Sequence, residues 1–592
     1  MDVGSHPDGP PARGRTLRAI AWIVVTALVV LSVTSAGYLW LNQSEAGCTG
    51  DLMTTTVAAS PDQFPVMSEL ANRWNDHAPE VGNRCVRVTV LSAEPSKVAA
   101  ALGPGWDENR DGTRPDVWAP DSTAWTFVAA ARPEARPLLP EQAPSLASSA
   151  IVLALPRPMA EAMGWPKRKV LIPELLGALA TGKTWANFGH PEWGPIKLGI
   201  TDPTQSVAGL NVLLSVMDRN ADRKLSNQEI TASVAFSSSV TAAAPSAETF
   251  FDRAAQTPAA PSALASAVAF PTDEYSLAAY RAETPAQDFV PLYLGEKTTF
   301  ADHPYAVLRA PWVDPTKAET AAKFLDYLLS VEGQRAYGAV GFRDADAQSK
   351  YAPLLDKERG FSPDLSATPR VPDAESVNQI IAQWSQLQRP VNVLIVLDTS
   401  GSMNERIPQL NATRLQLLQQ AAIKGIGMLN NASSMSLWQF SSKLTPTTDY
   451  RELVPLGPAL APVGPVSRRE ALVNAIRGLK ASGGTGLYDT TAAAHQRLQQ
   501  SWQPGASNLV MVITDGKNED DVGLSQPQLI GKLKASARAD RPLPILGIAV
   551  GPEADAAALQ QISQVTGGRT FAARSDHEVL EQIVLAFAGR LK

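Results

Sequence analysis

The last third of the chain alternates short apolar segments with amphipathic ones, and this alternation constrains the fold more than any other feature. Segments that are short, apolar and β-branched lie at 391–397, 437–440, 508–514, 544–550 and 570–572. Segments with helical periodicity lie at 413–429, 468–479, 487–500, 526–537, 554–565 and 577–588. Continuously apolar strands are typical of a parallel sheet that is buried on both faces. The pattern therefore predicts a doubly wound, mostly parallel α/β domain over residues 390–592, with ligands bound at the carboxyl ends of its strands.

Oxygen-bearing side chains follow these predicted strands at their carboxyl ends. The first strand runs into Asp398-Thr-Ser400-Gly-Ser402, a Gly-Gly-Thr485 loop precedes a helix, and another strand ends at Asp515-Gly. Hard divalent cations take oxygen ligands, and hydroxyl ligands leave the ion electron-poor, ready for an acidic group from a partner. An aspartate at a strand end is also found in phosphate-handling folds, but the hydroxyl pair and the order of the segments disfavour that alternative. The sequence therefore predicts a divalent-cation site.

These segments resemble the metal-ion-dependent adhesion site of the von Willebrand factor A (VWA) or integrin I-like domain, and the resemblance covers about residues 390–592. It implies that Ser400 and Ser402, usually with Thr485, coordinate Mg²⁺ or Mn²⁺ directly, whereas Asp398 and Asp515 act largely through waters. A carboxylate from a protein partner would complete the shell. A motif that is kept without binding metal is the alternative. The acidic run at 518–521 is more typical of a solvated loop than of a second metal site.

An uncharged apolar run at residues 19–41 decides the compartment. It would form a helix about 34 Å long, enough to cross a hydrocarbon layer of about 30 Å. Arg13, Arg15 and Arg18 precede it, and the next basic residue is Arg73. The positive-inside rule then predicts a single N-terminal transmembrane helix, a cytoplasmic tail of residues 1–18, and export of the rest from the cell membrane. A cleaved signal peptide is the alternative, but the apolar run is too long for a signal core.

Cysteine, histidine and charge content narrow the chemistry further. Cys48 and Cys85 are the two cysteines, both lie beyond the predicted anchor, and an exported pair favours a disulfide. The six histidines show no metal-ligand spacing, so zinc chemistry is not expected. The formal net charge is −6, with no basic cluster beyond the start of the chain, so nucleic acid is not an expected partner.

Residues 48–361 are predicted to form a second α/β unit, followed by a linker and helix over 362–389. Strands are predicted at 86–91 and 197–201. Residues 302–308, an amphipathic helix at 317–329 and the segments 330–334 and 341–343 together resemble the carboxyl-terminal part of bacterial extracellular solute-binding proteins, the two-lobed receptors of ATP-driven importers. Two strand-to-helix junctions, at residues 116–123 and 202–206, fit the lining of a ligand cleft. Ordinary helix caps would show the same sequence pattern. The cleft residues predicted from these junctions and the resemblance are Asp121, Ser122, Ser206 and Tyr275.

A loop at residues 218–229 fits the EF-hand pattern for Ca²⁺ except at its sixth position, where Arg223 replaces the usual glycine. A polar insertion between two helices is the alternative. The predicted calcium ligands are Asp218, Asn220, Asp222, Lys224, Ser226 and Glu229.

The combined pattern favours binding over catalysis. No Gly-x-Ser-x-Gly elbow, Walker A loop or His-Glu-x-x-His helix occurs, so an enzyme is not expected. The leading hypothesis is a membrane-anchored, extracytoplasmic protein whose VWA domain binds an acidic protein partner through a divalent cation, with the solute-binding-like domain sensing a ligand or serving as a scaffold. The alternative is a receptor that delivers a small solute to an ATP-driven importer.

Overall fold

The computed structural model describes residues 48, 51–180, 183–217, 236, 240–256, 261–284, 288–293, 298–365, 373–407, 411–427, 429–551 and 554–573. The predicted transmembrane helix at 19–41, the EF-hand-like loop at 218–229 and the last predicted helix at 577–588 lie outside these ranges. Within the described ranges, no helix is both long enough and apolar enough to cross a membrane.

Eleven strands and eleven α-helices are described before residue 365. The strands are β1 (Leu52–Ala59), β2 (Glu80–Val81), β3 (Arg84–Ser92), β4 (Val117–Ala119), β5 (Ser149–Pro156), β6 (Leu198–Thr201), β7 (Val240–Ala244), β8 (Phe270–Asp273), β9 (Phe289–Leu292), β10 (Phe300–Ala301) and β11 (Ala306–Val307). The helices are α1 (Phe64–Asp76), α2 (Pro95–Ala101), α3 (Glu108–Asp111), α4 (Thr123–Ala130), α5 (Arg157–Ala162), α6 (Ile172–Ala180), α7 (Val207–Met217), α8 (Ala247–Ala255), α9 (Glu274–Glu283), α10 (Pro315–Leu329) and α11 (Val331–Ala339).

The first lobe is built on the sheet β11-β4-β1-β3-β2, in which β1 lies parallel to both β3 and β4. Alternate residues of β1 and β3 pack against α1 and α10, and Met67 and Phe324 are fully buried there. Cys48 and Cys85 form a disulfide that ties the start of the described chain to β3. Because β1 and β4 are parallel, the residues that follow them meet at one edge of this sheet.

The second lobe is built around β5, whose residues are all buried and which pairs antiparallel with β8, β9 and β10. Strands β6 and β7 form a separate parallel pair. Glu274, at the start of α9, makes a buried two-point ion pair with Arg343, with nitrogen–oxygen distances of 2.7 and 2.9 Å. Arg343 in turn exchanges backbone hydrogen bonds with Ser148, just before β5. This pair fastens the segment after α11 to the second lobe.

Helix α12 (Ala374–Gln388) connects the two parts of the chain. Its apolar face is buried, with Val377, Ile380 and Trp384 in the same hydrophobic cluster as residues of α4 and α7. Asp373 caps it by accepting hydrogen bonds from the amides of Glu375 and Ser376. The helix is therefore an integral part of the solute-binding-like domain's packing.

The carboxyl-terminal domain contains ten described strands and five described α-helices. The strands are β12 (Val391–Asp398), β13 (Arg406–Ile407), β14 (Ala412–Thr413), β15 (Ser434–Phe440), β16 (Tyr450–Pro458), β17 (Pro462–Val463), β18 (Val466–Ser467), β19 (Ser507–Thr514), β20 (Ile545–Val550) and β21 (Thr570–Ala573). The helices are α13 (Arg414–Gly427), α14 (Arg468–Arg477), α15 (Leu487–Gln500), α16 (Gln526–Ser536) and α17 (Ala556–Val565).

The main sheet of this domain has the order β16-β15-β12-β19-β20-β21 and is parallel except for the edge strand β16. Both faces of β12 are buried, because Val393 and Ile395 pack on one side and Leu394 and Val396 on the other. The predicted mixed α/β architecture is confirmed here. Strand β16 was not predicted, since its burial alternates irregularly along an exposed edge.

Candidate metal centre and solute cleft

Asp398 is the last residue of β12, the strand between β15 and β19, and it is fully buried. Its carboxylate accepts a 2.8 Å hydrogen bond from the amide of Ser400 and another from the hydroxyl of Thr514, at the end of β19. Burial raises the pKa of Asp398 to about 6, because the charged form is poorly solvated there. The Asp398 carboxylate therefore holds the loop that follows β12 in place through these two hydrogen bonds.

Three oxygen-bearing side chains form a continuous chain above Asp398. The hydroxyls of Ser400 and Ser402 are 3.0 Å apart, and the Ser402 hydroxyl donates to Asp515 Oδ1 at 2.8 Å. Burial raises the pKa of Asp515, which follows β19 directly. The carboxyl ends of the neighbouring parallel strands β12 and β19 thus place these groups side by side.

Thr485 is held against the same point by backbone contacts between loops. The amide of Gly401 donates to the carbonyl of Gly483 at 2.8 Å, and the amide of Ser482 donates to the carbonyl of Thr399 at 2.8 Å. A Cβ atom added to Gly516 would lie 3.0 Å from the Thr485 hydroxyl and 3.9 Å from the Ser402 hydroxyl. The five residues predicted for the metal site are therefore brought together at one rim of the sheet.

Arg414, at the start of α13, is a site residue that sequence reasoning missed. Its Nη1 lies 3.2 Å from Asp515 Oδ2 and 2.6 Å from Glu405 Oε2, and its side chain is 8% exposed. The arginine balances the charge of Asp515 from the side away from Ser402. No local spacing connects it to the motif, so only the folded chain shows the contact.

The donor set fits a hard divalent cation. Hydroxyls of Ser400, Ser402 and Thr485 and carboxylates of Asp398 and Asp515 are all oxygen ligands, which Mg²⁺ and Mn²⁺ prefer. Two buried carboxyls with raised pKa values favour the arrival of a positive charge. The arrangement can hold a cation with part of its coordination shell open to a partner.

The acidic run at 518–521 has a structural explanation. The side-chain oxygen of Asn518 accepts hydrogen bonds from the amides of Leu487 and Tyr488 at 2.9 and 3.2 Å, so it caps the start of α15. Asp520 lies beside Asp449 and Asp489, with one carboxylate oxygen of each within 4.8 Å of the others. Burial, followed by the charge of Asp520, raises the pKa of Asp449.

The predicted cleft residues of the first domain fall into two groups. Ser122 caps α4 by accepting from the amide of Ala124 at 3.2 Å, and Asp121 stands directly before it, after β4. The ring of Tyr275, on α9 of the second lobe, stacks on Phe342 with centroids 4.0 Å apart. The charges of Asp62 and Asp273 act on both Asp121 and Tyr275, so these two predicted residues share one environment between the lobes.

Ser206 is placed differently. Its hydroxyl donates to Thr201 Oγ1 at 3.0 Å and accepts from the amide of Gly209 at 3.4 Å, so it caps the start of α7 within its own lobe.

Three further residues at the junction of the lobes were missed from the sequence. They are Asp62 after β1, Asp273 at the end of β8, and His303 after β10. The His303 ring is fully buried, and its Nε2 lies 2.7 Å from Asp62 Oδ2. An acidic residue at the carboxyl end of a strand was the available signal for Asp62 and Asp273, whereas His303 offered none.

Comparisons with known proteins assign both parts of the chain. Residues 55–343 match the sequence model of the bacterial extracellular solute-binding proteins, and residues 392–585 match that of the von Willebrand factor type A domain. An uncharacterized protein of Mycobacterium tuberculosis, present in two strains, is 25% identical over 570 residues, which is 93% of this chain and 80% of that protein.

Solved structures with low sequence identity are similar to parts of this chain. A von Willebrand factor type A protein from Catenulispora acidiphila is 21% identical, with a TM-score of 0.28, over 34% of this chain and 43% of that one. Iron-bound HitA from Pseudomonas aeruginosa is 15% identical, with a TM-score of 0.37, over 57% of this chain and 98% of that one. By the family matches, the chain joins a bacterial extracellular solute-binding domain to a von Willebrand factor type A domain.

Proposed function

We propose that this protein is a membrane-anchored, extracytoplasmic binding protein whose VWA domain holds an acidic protein partner through a divalent cation. The observation that carries the proposal is the convergence of Asp398, Ser400, Ser402, Thr485 and Asp515 at the carboxyl ends of two adjacent parallel strands. The ligand side of such a sheet lies at this edge.

The hydroxyl and carboxylate residues of the site have different roles in this proposal. The hydroxyls of Ser400, Ser402 and Thr485 would hold Mg²⁺ or Mn²⁺, with Asp398 and Asp515 balancing its charge. A bound ion supplies an electron-poor position that a carboxylate of the partner can fill. Asp398 also keeps the loop in shape, since it accepts the Ser400 amide and the Thr514 hydroxyl. We assign no catalytic activity to either domain.

Export and anchoring are supported by two features of the amino-terminal part. The uncharged run at 19–41, preceded by three arginines, fits a single membrane-spanning helix with the amino terminus inside. The disulfide between Cys48 and Cys85 fits an oxidising compartment outside the cytoplasm.

The solute-binding domain, in this proposal, senses a small ligand or supports the VWA domain. The buried polar groups at the junction of its lobes favour the first role, since a pure scaffold would gain stability from apolar residues there. Delivery of a solute to an ATP-driven importer is the second candidate function, favoured by the match of residues 55–343 to solute-binding proteins.

Capture of a partner by the full-length protein, with and without metal, tests the proposal. Wild type, Asp398→Ala and the control Asp521→Ala, which changes an exposed aspartate of the same domain, are each immobilised and exposed to a membrane extract in Mg²⁺ or in EDTA. A protein retained by wild type and by the control in Mg²⁺ only, and never by Asp398→Ala, supports the proposal. Equal retention in Mg²⁺ and EDTA refutes it.

A further inference from the structure

The junction of the two lobes gathers acidic side chains from distant parts of the chain. Asp62 and Asp121 follow the parallel strands β1 and β4 of the first lobe, and Asp273 ends β8 of the second. His303 lies in the segment that returns from the second lobe to the first, and its amide donates to the carbonyl of Asp121 at 3.1 Å. Groups from both lobes therefore meet at this junction, where the charges of Asp62, Asp273 and His303 all act on Asp121.

Asp62 has a cationic partner in His303. Asp121 and Asp273 form no ion pair with the residues that the structure describes. His303 Nε2 bonds Asp62 at 2.7 Å, while its Nδ1 lies 3.2 Å from the carbonyl of Ala301. Although burial favours the neutral ring, Asp62 raises the pKa of His303 to about 9, so the ring is cationic and neutralises Asp62. Oδ1 of Asp121 and Oδ2 of Asp273 are buried and accept no hydrogen bond of normal geometry. Hydrogen bonding from the hydroxyls of Ser149 and Ser276 to the Asp273 carboxyl partly offsets the rise in its pKa.

Trp125 directs its indole N–H at the carboxyl of Asp121. Its side chain is 1% exposed, and its indole Nε1 faces Asp121 without forming a hydrogen bond of normal geometry. Buried polar atoms nearly always have partners, and orphaned ones mark strain, a functional site or a missing ligand. Here the Trp125 donor and one Asp121 acceptor face each other without a bond of normal geometry, and Oδ2 of Asp273 is a further buried acceptor without a partner.

Burial and mutual repulsion keep the carboxyls of Asp121 and Asp273 from ionising freely. Burial, and after it the charge of Asp62, raises the pKa of Asp121 to about 8, and burial also raises the pKa of Asp273. A cation placed between them would replace the protons that they hold at neutral pH. An anion would meet repulsion instead, since the cation His303 is already paired with Asp62.

We propose that the cleft binds a small organic cation, carrying ammonium or guanidinium groups, between Asp121 of the first lobe and Asp273 of the second. This inference rests on the sensing role proposed above for the solute-binding domain. A metal ion fits less well, because in the described part of the chain the three carboxylates and His303 do not bring three ligand atoms within 4.8 Å of one another. Several N–H donors spread over a few ångströms match separated carboxylates better than a single ion does.

The first test needs no ligand. In the empty full-length protein at neutral pH, Asp121→Asn and Asp273→Asn are expected to raise the melting temperature of the solute-binding domain by about 2 °C or more, because each removes a poorly solvated carboxyl. Asp326→Asn, an exposed aspartate on α10, is the matched control and should not change it. The transition of the solute-binding domain is identified in a parallel scan as the one that shifts when the disulfide between Cys48 and Cys85 is reduced. A clear fall in melting temperature for both asparagine variants would assign these carboxyls a structural role and overturn the proposal.

The second test uses named probes. In isothermal titration calorimetry of the full-length protein, 1,4-diaminobutane or arginine is expected to bind saturably, more tightly at pH 8 than at pH 6, and about 100-fold more weakly in either asparagine variant. Succinate, phosphate and Mn²⁺ are the comparison probes, and Asp326→Asn should bind like wild type. Binding of only the anions or only Mn²⁺, or of no probe, overturns the cation proposal. Partner capture through Asp398 is measured on the other domain, so either proposal can fail without the other.

Discussion

Replacing Asp398 by asparagine is expected to stabilise the metal-free VWA domain while abolishing its stabilisation by Mg²⁺. In the folded chain the pKa of Asp398 is raised from 3.8 to about 6 by burial, whereas in the unfolded chain the carboxyl is solvated. Folding at pH 7 therefore places a charge where it is poorly solvated. This cost is absent below about pH 4, grows as the pH rises, and is complete above about pH 6.

The magnitude follows from the shift and from the hydrogen bonds. A shift of this size corresponds to about 3 kcal/mol at pH 7. Asparagine removes that cost, but its single oxygen cannot accept from both the Ser400 amide and the Thr514 hydroxyl, which costs about 1 kcal/mol. The net expectation is a gain of about 2 kcal/mol in the free energy of unfolding without metal. Wild type gains about 2.7 kcal/mol from Mg²⁺ at 100 times its dissociation constant, and the variant gains none.

Urea denaturation of the VWA transition in EDTA and in saturating Mg²⁺, at pH 4, 6 and 7, measures both quantities. The variant should be more stable than wild type in EDTA at pH 7, equal or less stable at pH 4, and unchanged by Mg²⁺. Asp521→Asn controls for the loss of a surface charge. If Asp398→Asn destabilised the domain in EDTA at pH 7, the carboxylate would be contributing more through its hydrogen bonds than burial takes away. If the variant kept its full response to Mg²⁺, Asp398 would not belong to the site.

Three further outcomes are expected. Glu274→Gln should lower the free energy of unfolding of the solute-binding domain by about 3–5 kcal/mol in chemical denaturation, because it leaves the buried cation of Arg343 without its ion pair; a loss below 1 kcal/mol would contradict this. Replacing Cys48 and Cys85 by serine, which opens a span of 37 residues, should cost about 4 kcal/mol, and reduction of wild type should reproduce the loss. The stabilisation from His303, whose folded pKa of about 9 exceeds the unfolded 6.5, is complete below about pH 6.5 and should disappear as the pH rises through 9, a slope that His303→Gln should flatten.

The grouping of the candidate metal-site residues in the VWA domain could be predicted from the sequence because its signals are local. Asp398, Ser400 and Ser402 share one short loop, and Asp515 directly follows a strand. The positions of the predicted strand ends were therefore enough to predict that these segments lie close together. Arg414 carries no such signal, since it contacts Asp515 only through the fold and lies 101 positions away from it in sequence.

The cleft was less predictable because its members are paired across the whole domain. Asp62 and His303 are 241 residues apart in sequence. Capping serines marked the strand-to-helix junctions and so led to Asp121 and Ser122. The same signal also pointed to Ser206, whose hydroxyl bonds to Thr201 and Gly209 within its own lobe instead. A cap shows where a helix starts but not which way the neighbouring side chains face.

Helix α12 connects the two domains as a packed helix rather than as a flexible linker. It packs on α4, which begins beside Asp121, and on α7 of the second lobe. Two residues separate its end at Gln388 from β12, and the side chain of Asn430 in the VWA domain donates to the Gln388 carbonyl at 2.9 Å. A hinge motion that changes the distance between α4 and α7 must therefore shift or tilt helix α12. Strand β12, which ends in Asp398, would move together with the helix.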